Sequence, residues 1–401
     1  MATVVAVDVA PSPSGRVFGR LCSIALLAYT SYAMCRIPLL PLYARELGAT
    51  PSTIGFVMAA STVTGILVKL PAGAWSDVLG RRPLLILGTI VFATMPFTYL
   101  IAASLGVLMV LRFIHGSATA IFGPVASASV SDLASPERRG TWLSTYSTVQ
   151  GIGQALGPVV GGYLIATSGY RATFIVAGLL AIATPFIASR WPAPSTPPIG
   201  AVHGRRGQLL AGIVEVIRHP LILITSLAQS AQFVLNGTLN AFLPLFAHDA
   251  MGLSVSQLGW LFALQTTTTL AARPTVGMLS DRVGRRGVIT AGLTLCGSAV
   301  IAVSLASTLR MLIPAIIAYA AGVAVTTAAT GAFITDLSRR ARYGTAHGVF
   351  GTIYDVGDAL GPIVAGLLVV SVGYGPMFRI MASVTLTVAI AFEIISRRAL
   401  T

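Results

Sequence analysis

The chain has 401 residues, a mean hydropathy of +0.84 and only 9% charged residues. So little charge cannot cover a soluble protein of this length, which leaves a polytopic helical membrane protein. The net charge of +14 does not point to nucleic acid, because the arginines fall in short clusters between apolar runs and form no single patch.

The polar N-terminal stretch carries Arg16 and Arg20 just ahead of an apolar run that continues to about Tyr43. That length predicts an uncleaved first span rather than a signal peptide. About twelve spans are expected, near 19–43, 51–72, 84–104, 107–130, 141–167, 171–190, 221–247, 255–275, 288–307, 310–333, 345–371 and 375–396. They divide the chain into a six-helix half over 1–190, a Pro-rich linker over 191–219 and a second six-helix half over 220–401. Within the linker, 208–218 is amphipathic and suited to the membrane surface. On one set of alternate connections arginine is abundant; on the other there are only Arg45, Arg171 and Arg310. The positive-inside rule therefore predicts that both termini are cytoplasmic. Compact loops and an arginine-rich, lysine-poor composition suggest a bacterial inner membrane. Cys22, Cys35 and Cys296 sit in apolar segments without metal-ligand spacing, and the five histidines are scattered. Neither a cofactor, nor a metal, nor enzymatic chemistry is expected, and there is no P-loop to bind ATP.

The most informative pattern is a repeat. Gly73-Ala74-Trp75-Ser76-Asp77-Val78-Leu79-Gly80-Arg81-Arg82 returns 204 positions later as Gly277-Met278-Leu279-Ser280-Asp281-Arg282-Val283-Gly284-Arg285-Arg286. The same shift carries Asp132 onto Asp336, Gly140 onto Gly344, Gly157-Pro158 onto Gly361-Pro362 and Gly169-Tyr170 onto Gly373-Tyr374. A shift held over so long a stretch implies a tandem duplication whose halves fold alike. The ten-residue stretch reads as a tight loop: Gly80 and Gly284 supply a positive φ, and the arginines pin it to the inner face. Asp77 and Asp281 are suited to pair with an arginine or a helix N-terminus. Positive-inside bias alone explains the arginines but not the order repeated twice.

These two copies, with Leu108-Met109-Val110-Leu111-Arg112-Phe113-Ile114-His115-Gly116 in span 4 and Gly153-Gln154-Ala155-Leu156-Gly157-Pro158-Val159-Val160-Gly161-Gly162 in span 5, resemble the motifs of the major facilitator superfamily. The span-5 motif resembles that of its drug–proton antiporters. Val78 departs from the pattern, standing where a basic residue is usual. The resemblance implies twelve spans in two pseudo-symmetric halves, alternating access, gating by the repeated motif, and a cavity lined by spans 1, 4, 7 and 10. Independently of it, Gly153, Gly157 and Gly161 form a smooth stripe for close helix approach, bent at Pro158. This stripe is expected to act as a pivot between the halves, although packing alone also accounts for it. Gly361-Pro362 carries the related pattern in span 11.

Charges inside spans single out further residues. Asp355 and Asp358 lie one turn apart on one face of span 11, where a carboxylate must be protonated, paired or solvated. Asp358 is the preferred proton-coupling site, with Asp355 and Arg112 as its companions; a structural pairing is the alternative. Arg36 shares a face with Tyr29 and Tyr32 and is suited to an anionic substrate or a carboxylate. Arg112, close to the outer end of its span, either takes such a role or snorkels. His115 reads as a hydrogen-bonded helix residue. Gln229, Gln232, Asn236 and Asn240 form a polar stripe in span 7 that either faces the cavity or binds neighbouring helices. Gln150, Gln154, Gln265, Phe233, Tyr319 and Tyr354 add polar and aromatic walls. Glu393 reads as a surface partner of Arg397. The expected function is export of a small organic compound coupled to protons by a transporter working as a monomer in the lipid bilayer. Proton-coupled import of an organic anion or sugar, or a sensor that does not transport, stays open.

Overall fold

The computed structural model describes residues 13–135, 137–192, 219–338 and 343–400. The amphipathic stretch over 208–218 lies outside the described residues. What is described is helical almost throughout. The first span is the helix Pro13–Arg36, interrupted at Ile37-Pro38 and resumed as Leu39–Glu46. Spans 2, 3 and 4 are Pro51–Leu79, Arg81–Thr98 with a short 3-10 turn to Ile101, and Leu105–Leu133. Spans 5 and 6 run together as Arg139–Ala181, broken at Gly169 (φ 76°), and continue through Ala183–Ser189. Spans 7 to 12 are Pro220–Met251, Val255–Val283, Arg285–Leu305, Leu309–Leu337, Tyr343–Val372 and Tyr374–Leu400. Among the described residues, nine helical stretches are long and apolar enough to cross a membrane, the stretch Arg139–Ser189 holding two spans. Spans 7 and 8 are not among them, although they have 32 and 29 residues. The polar stripe of span 7 and the run Gln265-Thr266-Thr267-Thr268-Thr269 of span 8 lower their hydropathy.

The repeated motif is not a ten-residue loop. Span 2 stays helical through Leu79 and span 8 through Val283, so the chain reverses at single glycines, Gly80 (φ 85°) and Gly284 (φ 95°). Both φ values are positive, where a Cβ would clash, which is why the turn needs glycine. Polar Ser76 does not end the helix, because the backbone bonds are made within it and the buried hydroxyl donates to the Gly73 carbonyl and accepts from Arg81. The other positive-φ glycines also sit at helix junctions and also pair by the 204-residue shift: Gly48 with Gly252, and Gly169 with Gly373. The duplication therefore extends to the backbone of the turns.

Burial shows how the halves meet. At the end carrying Arg45, one apolar cluster mixes residues of both halves, Leu39, Leu42 and Met58 with Leu239, Phe242 and Leu258. Toward the Gly80 end the apolar clusters separate. One holds Leu85, Phe92 and Phe122 of the first half; others hold Leu293, Phe333 and Phe392, and Ile334 and Phe350, of the second. The halves are thus sealed together at the Arg45 end and diverge toward the Gly80 end.

The sealed contact is built from glycines against carbonyls. A Cβ on Gly55 of span 2 would overlap the carbonyl of Pro362 in span 11, and one on Gly259 of span 8 would overlap that of Pro158 in span 5. Gly366 approaches the Pro51 carbonyl and Gly162 that of Val255 in the same way, at 2.6 and 2.7 Å from an added Cβ. Each of these contacts is the repeat copy of another. This corrects the expected role of the span-5 stripe. Gly153, Gly157 and Gly161 face Leu26, Thr30 and Met34 of span 1, inside their own half. It is the neighbouring face, Pro158 and Gly162, that crosses to the other half.

Candidate functional site

Between the diverging halves lies a cavity of about 660 Å³, lined by spans 1, 2, 4, 5, 7, 8, 10 and 11. It takes in Tyr29, Tyr32, Arg36, Gln232, Asn236, Asn240, Tyr354, Asp355 and Asp358, bringing together residues from distant parts of the sequence. Gln150, Gln154, Gln265 and Phe233 also line it, and Phe233 stacks on Tyr354 at 4.5 Å. Two residues expected near it lie elsewhere. Gln229 is buried and bonded to Gln232 and Thr330, so this end of the polar stripe joins helices. Tyr319 is fully buried outside the lining.

Asp358 is the junction of the site. Its carboxylate accepts from Asn236 of span 7 at 3.0 Å and from Thr62 of span 2 at 3.1 Å, and pairs with Arg36 of span 1 at 3.5 Å. One acid of the second half therefore holds two helices of the first. Local sequence makes this possible. Pro362 has no N–H to offer the Asp358 carbonyl one turn back. Gly237 lets span 7 approach that carbonyl, so that an added Cβ would lie 2.5 Å from it. Asn236 is thereby brought within reach. One turn away, Asp355 pairs with Lys69 of span 2 at 2.5 Å, again across the halves. Both acids are at least nine-tenths buried, 7% and 8% exposed, and both are paired, as buried charge requires.

Arg112 does not snorkel. It is fully buried, donates to Ser61 at 2.6 Å and lies 5.8 Å over the Tyr32 ring. Its Nε and Nη1 have no hydrogen-bond partner, and no carboxylate pairs with it among the described residues. His115, beside it, bonds the Tyr99 hydroxyl at 3.0 Å. Arg112 thus stands behind Tyr32, outside the cavity lining.

The turn motifs latch within each half. Arg81 pairs with Asp132 at 3.0 Å, and Arg285 with Asp336 at 3.0 Å, the same bond in each repeat. Arg82 donates to the Ser189 carbonyl at 2.6 Å. At the repeat-equivalent place Arg286 pairs with Glu393, which also accepts from Thr290 and Arg397. Glu393 is therefore more than a surface partner of Arg397. Gly73 lies in the last turns of span 2 with nothing around it for an added Cβ to meet. Gly277 and the side chains of Asp77, Asp281 and Arg282 lie outside what the structure describes.

Two cavity residues escape a reading of the spans in isolation: Lys69 and Arg273, both lining it. Each was hidden near the polar end of its span. The repeat reveals them, because the 204-residue shift carries Lys69 onto Arg273, a basic residue in the same place of each half.

The Major Facilitator Superfamily profile matches residues 21–256 and 225–399, nearly the whole described chain. An uncharacterised MFS-type transporter of Methanocaldococcus jannaschii is 22% identical over 362 residues, 88% of this chain and 91% of the relative. The quinolone resistance protein NorA of Staphylococcus aureus is 29% identical over 146 residues, 36% of this chain and 37% of its own. Among solved structures, a bacterial homologue of the human lysosomal transporter Spinster, in an inward-facing and unoccupied conformation, superposes with a TM-score of 0.82 at 19% identity, covering 97% of this chain and 98% of that one. The chain belongs to the Major Facilitator Superfamily of membrane transporters, and is not an enzyme.

Proposed function

We propose that this protein is a proton-coupled exporter of a small organic compound, working by alternating access as a monomer in a bacterial inner membrane. Both termini and the Gly80 and Gly284 turns face the cytoplasm in this reading, on the strength of the arginine bias. The cavity then opens inward, and the residues 1–190 and 220–401 are the two rocking halves. The observation that carries the reading is the Asp358 junction. A single carboxylate bonded to Arg36, Thr62 and Asn236 ties spans 1, 2, 7 and 11 together across the two halves. Ionised, it holds them by charge-assisted bonds; protonated, it loses its attraction for Arg36. A proton taken up outside and released inside therefore changes how firmly the halves are joined. Asp355 with Lys69 makes a second, similar tie. The span-5 motif and the partial likeness to a quinolone resistance protein favour export.

One observation favours a second reading, proton-coupled import of an organic anion. Protonation of Asp358 frees Arg36, which lines the same cavity, so proton and anion would bind together. Everted vesicles screened against small organic compounds separate the two. Export predicts uptake into vesicles with an acidic lumen, lost in Asp358→Asn. Import predicts accumulation only in right-side-out vesicles under external acid. Transport indifferent to the proton gradient in both orientations sinks the coupling.

A further inference from the structure

The cavity is pseudo-symmetric in its backbone but not in its charges. On one flank, Lys69 of span 2 meets Asp355 of span 11 and Arg36 of span 1 meets Asp358. The 204-residue shift maps this flank onto the other, where span 8 faces span 5. There Lys69 becomes Arg273 and Arg36 becomes Asn240, while Asp355 becomes Gly151 and Asp358 becomes Gln154. One cation has been kept and both acids removed. Arg273 lines the cavity, and among the described residues its one hydrogen bond is a long one to Ser147, at 3.5 Å. Among the described residues no carboxylate pairs with it, whereas Arg36 and Lys69 are both neutralised by span 11. The charged lining of the cavity is therefore three cations and two acids, with the excess positive charge at Arg273. The lining also carries neutral hydrogen-bonding groups, Gln150, Gln154 and Thr269. Two turns before Arg273 in span 8, Gln265 has a buried Oε1 with no partner among the described residues.

We infer that Arg273 is the seat of an organic anion, whose carboxylate occupies the place that Asp355 fills on the opposite flank. A guanidinium presents a planar fork of donors that matches a carboxylate. The neighbouring amides serve the rest of the ligand, and the unpartnered Gln265 oxygen accepts from an N–H or O–H on it. In a cell whose interior is electrically negative, the outward movement of such an anion is assisted by the membrane potential. This inference rests on the transport reading and names the substrate class for it in either direction.

The test is equilibrium binding to the purified full-length protein, followed by thermal stabilisation, with three isosteric probes: benzoate, benzamide and benzylamine. A charge-assisted bond of the usual strength makes benzoate bind roughly tenfold to a hundredfold more tightly than benzamide. That preference is expected to vanish in Arg273→Gln and to persist in part in Arg273→Lys. Gly151→Asp is the sharper variant, because it restores the missing acid within the chain. The atoms nearest an added Cβ there, at 2.6 to 3.2 Å, all belong to the flexible Leu270 side chain, and benzoate then has to compete with the new carboxylate. Preference for benzylamine, no binding of benzoate, or a benzoate preference unchanged in both Arg273→Gln and Gly151→Asp overturns the assignment. So does a preference that survives Arg273→Gln and is lost in Arg36→Gln. Because no gradient is involved, failure here leaves proton coupling untouched, and failure of coupling in vesicles leaves this result standing.

Discussion

The sealed contact is made from spans 2, 5, 8 and 11, which also line the cavity, and the duplication has treated the two regions in opposite ways. At the contact each glycine–carbonyl approach is present twice: Gly55 on Pro362 and Gly259 on Pro158, Gly366 on Pro51 and Gly162 on Val255. The turns at Gly80 and Gly284 and the pairs Arg81–Asp132 and Arg285–Asp336 are likewise doubled. In the cavity almost nothing charged survives the shift except Lys69 and Arg273. The difference has a physical reason. Two halves that rock about a common axis need matching surfaces on both sides of it, since bulk on one side jams both. A proton and a substrate need only one binding place each, and two copies of a buried acid pair would double the desolvation cost with no gain.

The largest expected effect is at the unduplicated acid. Asp358→Asn keeps the size and loses the charge, so gradient-driven accumulation should disappear while exchange of substrate down its own gradient continues. The repeat-equivalent change, Gln154→Leu, should leave coupling intact. Equal losses of coupling at the two positions, measured in proteoliposomes with an imposed pH gradient, would remove the asymmetry on which the reading depends.

Next is the doubled contact. Gly55→Leu and Gly259→Leu each drive a side chain into a backbone carbonyl. Overpacking of about 1–3 kcal/mol, placed on the transport barrier, corresponds to a loss of roughly fivefold to a hundredfold. The two losses should agree, because the contacts are copies. Gly157→Leu should damage the protein differently. Its side chain meets Ala33 and Met34 inside the first half, so the readout is lowered thermal stability before any change in cycling. A stable Gly157→Leu protein with normal stability but blocked transport would return the pivot to that stripe.

How much of this was written in the sequence depends on the range of the interaction. Span number, the duplication and the glycine turns follow from local hydropathy and a fixed shift, and all twelve helices lie where those signals put them. The Gly73–Arg82 stretch misleads because Ser76 looks like a loop residue, yet it is buried in the helix, donating to the Gly73 carbonyl and accepting from Arg81. A stripe such as Gly153, Gly157 and Gly161 announces close packing without saying which helix packs there. Arg112 reads as a snorkelling residue until Ser61 and Tyr32, far away in sequence, are seen to enclose it. Lys69 and Arg273 were legible only by applying the repeat shift to charges inside the spans. Their differing partners were not legible, because pairing across the halves is a matter of tertiary contact.

A smaller effect belongs to the Arg45 end. Arg45 and Asp249 form an ion pair across the halves, and they too are 204 positions apart. The pair therefore joins equivalent points of the two repeats, with opposite charges. Tyr374 also donates to Asp249, at 3.4 Å. Both partners are more than a third exposed, so the bond is worth at most about 1 kcal/mol. Asp249→Arg should nonetheless bring two cations together and favour the state open at this end. Spin labels at Thr50 and Ser254, in a protein lacking its native cysteines, should report a longer distance. The double swap Arg45→Asp with Asp249→Arg should restore the original distance. If the swap does not restore it, the pair is incidental to closure.

The smallest effects are expected at the motif arginines, whose pairs with the exposed Asp132 and Asp336 each stay within one half. Arg81 and Arg285 fasten spans 3 and 9 to spans 4 and 10 through Asp132 and Asp336. Their acids are about half exposed, so each pair contributes a few tenths of a kcal/mol to about 1 kcal/mol. Arg81→Gln and Arg285→Gln should slow transport only a few-fold, and equally. The next residue breaks the symmetry. Arg82 holds a backbone carbonyl, which ions screen little at hydrogen-bond range, while Arg286 holds the carboxylate of Glu393. Exposed ion pairs weaken as salt shortens the Debye length from about 10 Å at 0.1 M to about 3 Å at 1 M. Arg286→Gln should therefore slow transport at low salt and matter little at high salt, whereas the effect of Arg82→Gln should be nearly independent of salt. Initial rates in proteoliposomes across that range decide it. Matching salt dependence in the two variants would mean that the second-half latch does not work through Glu393, and Glu393→Gln, which should reproduce the Arg286→Gln profile, provides the independent check.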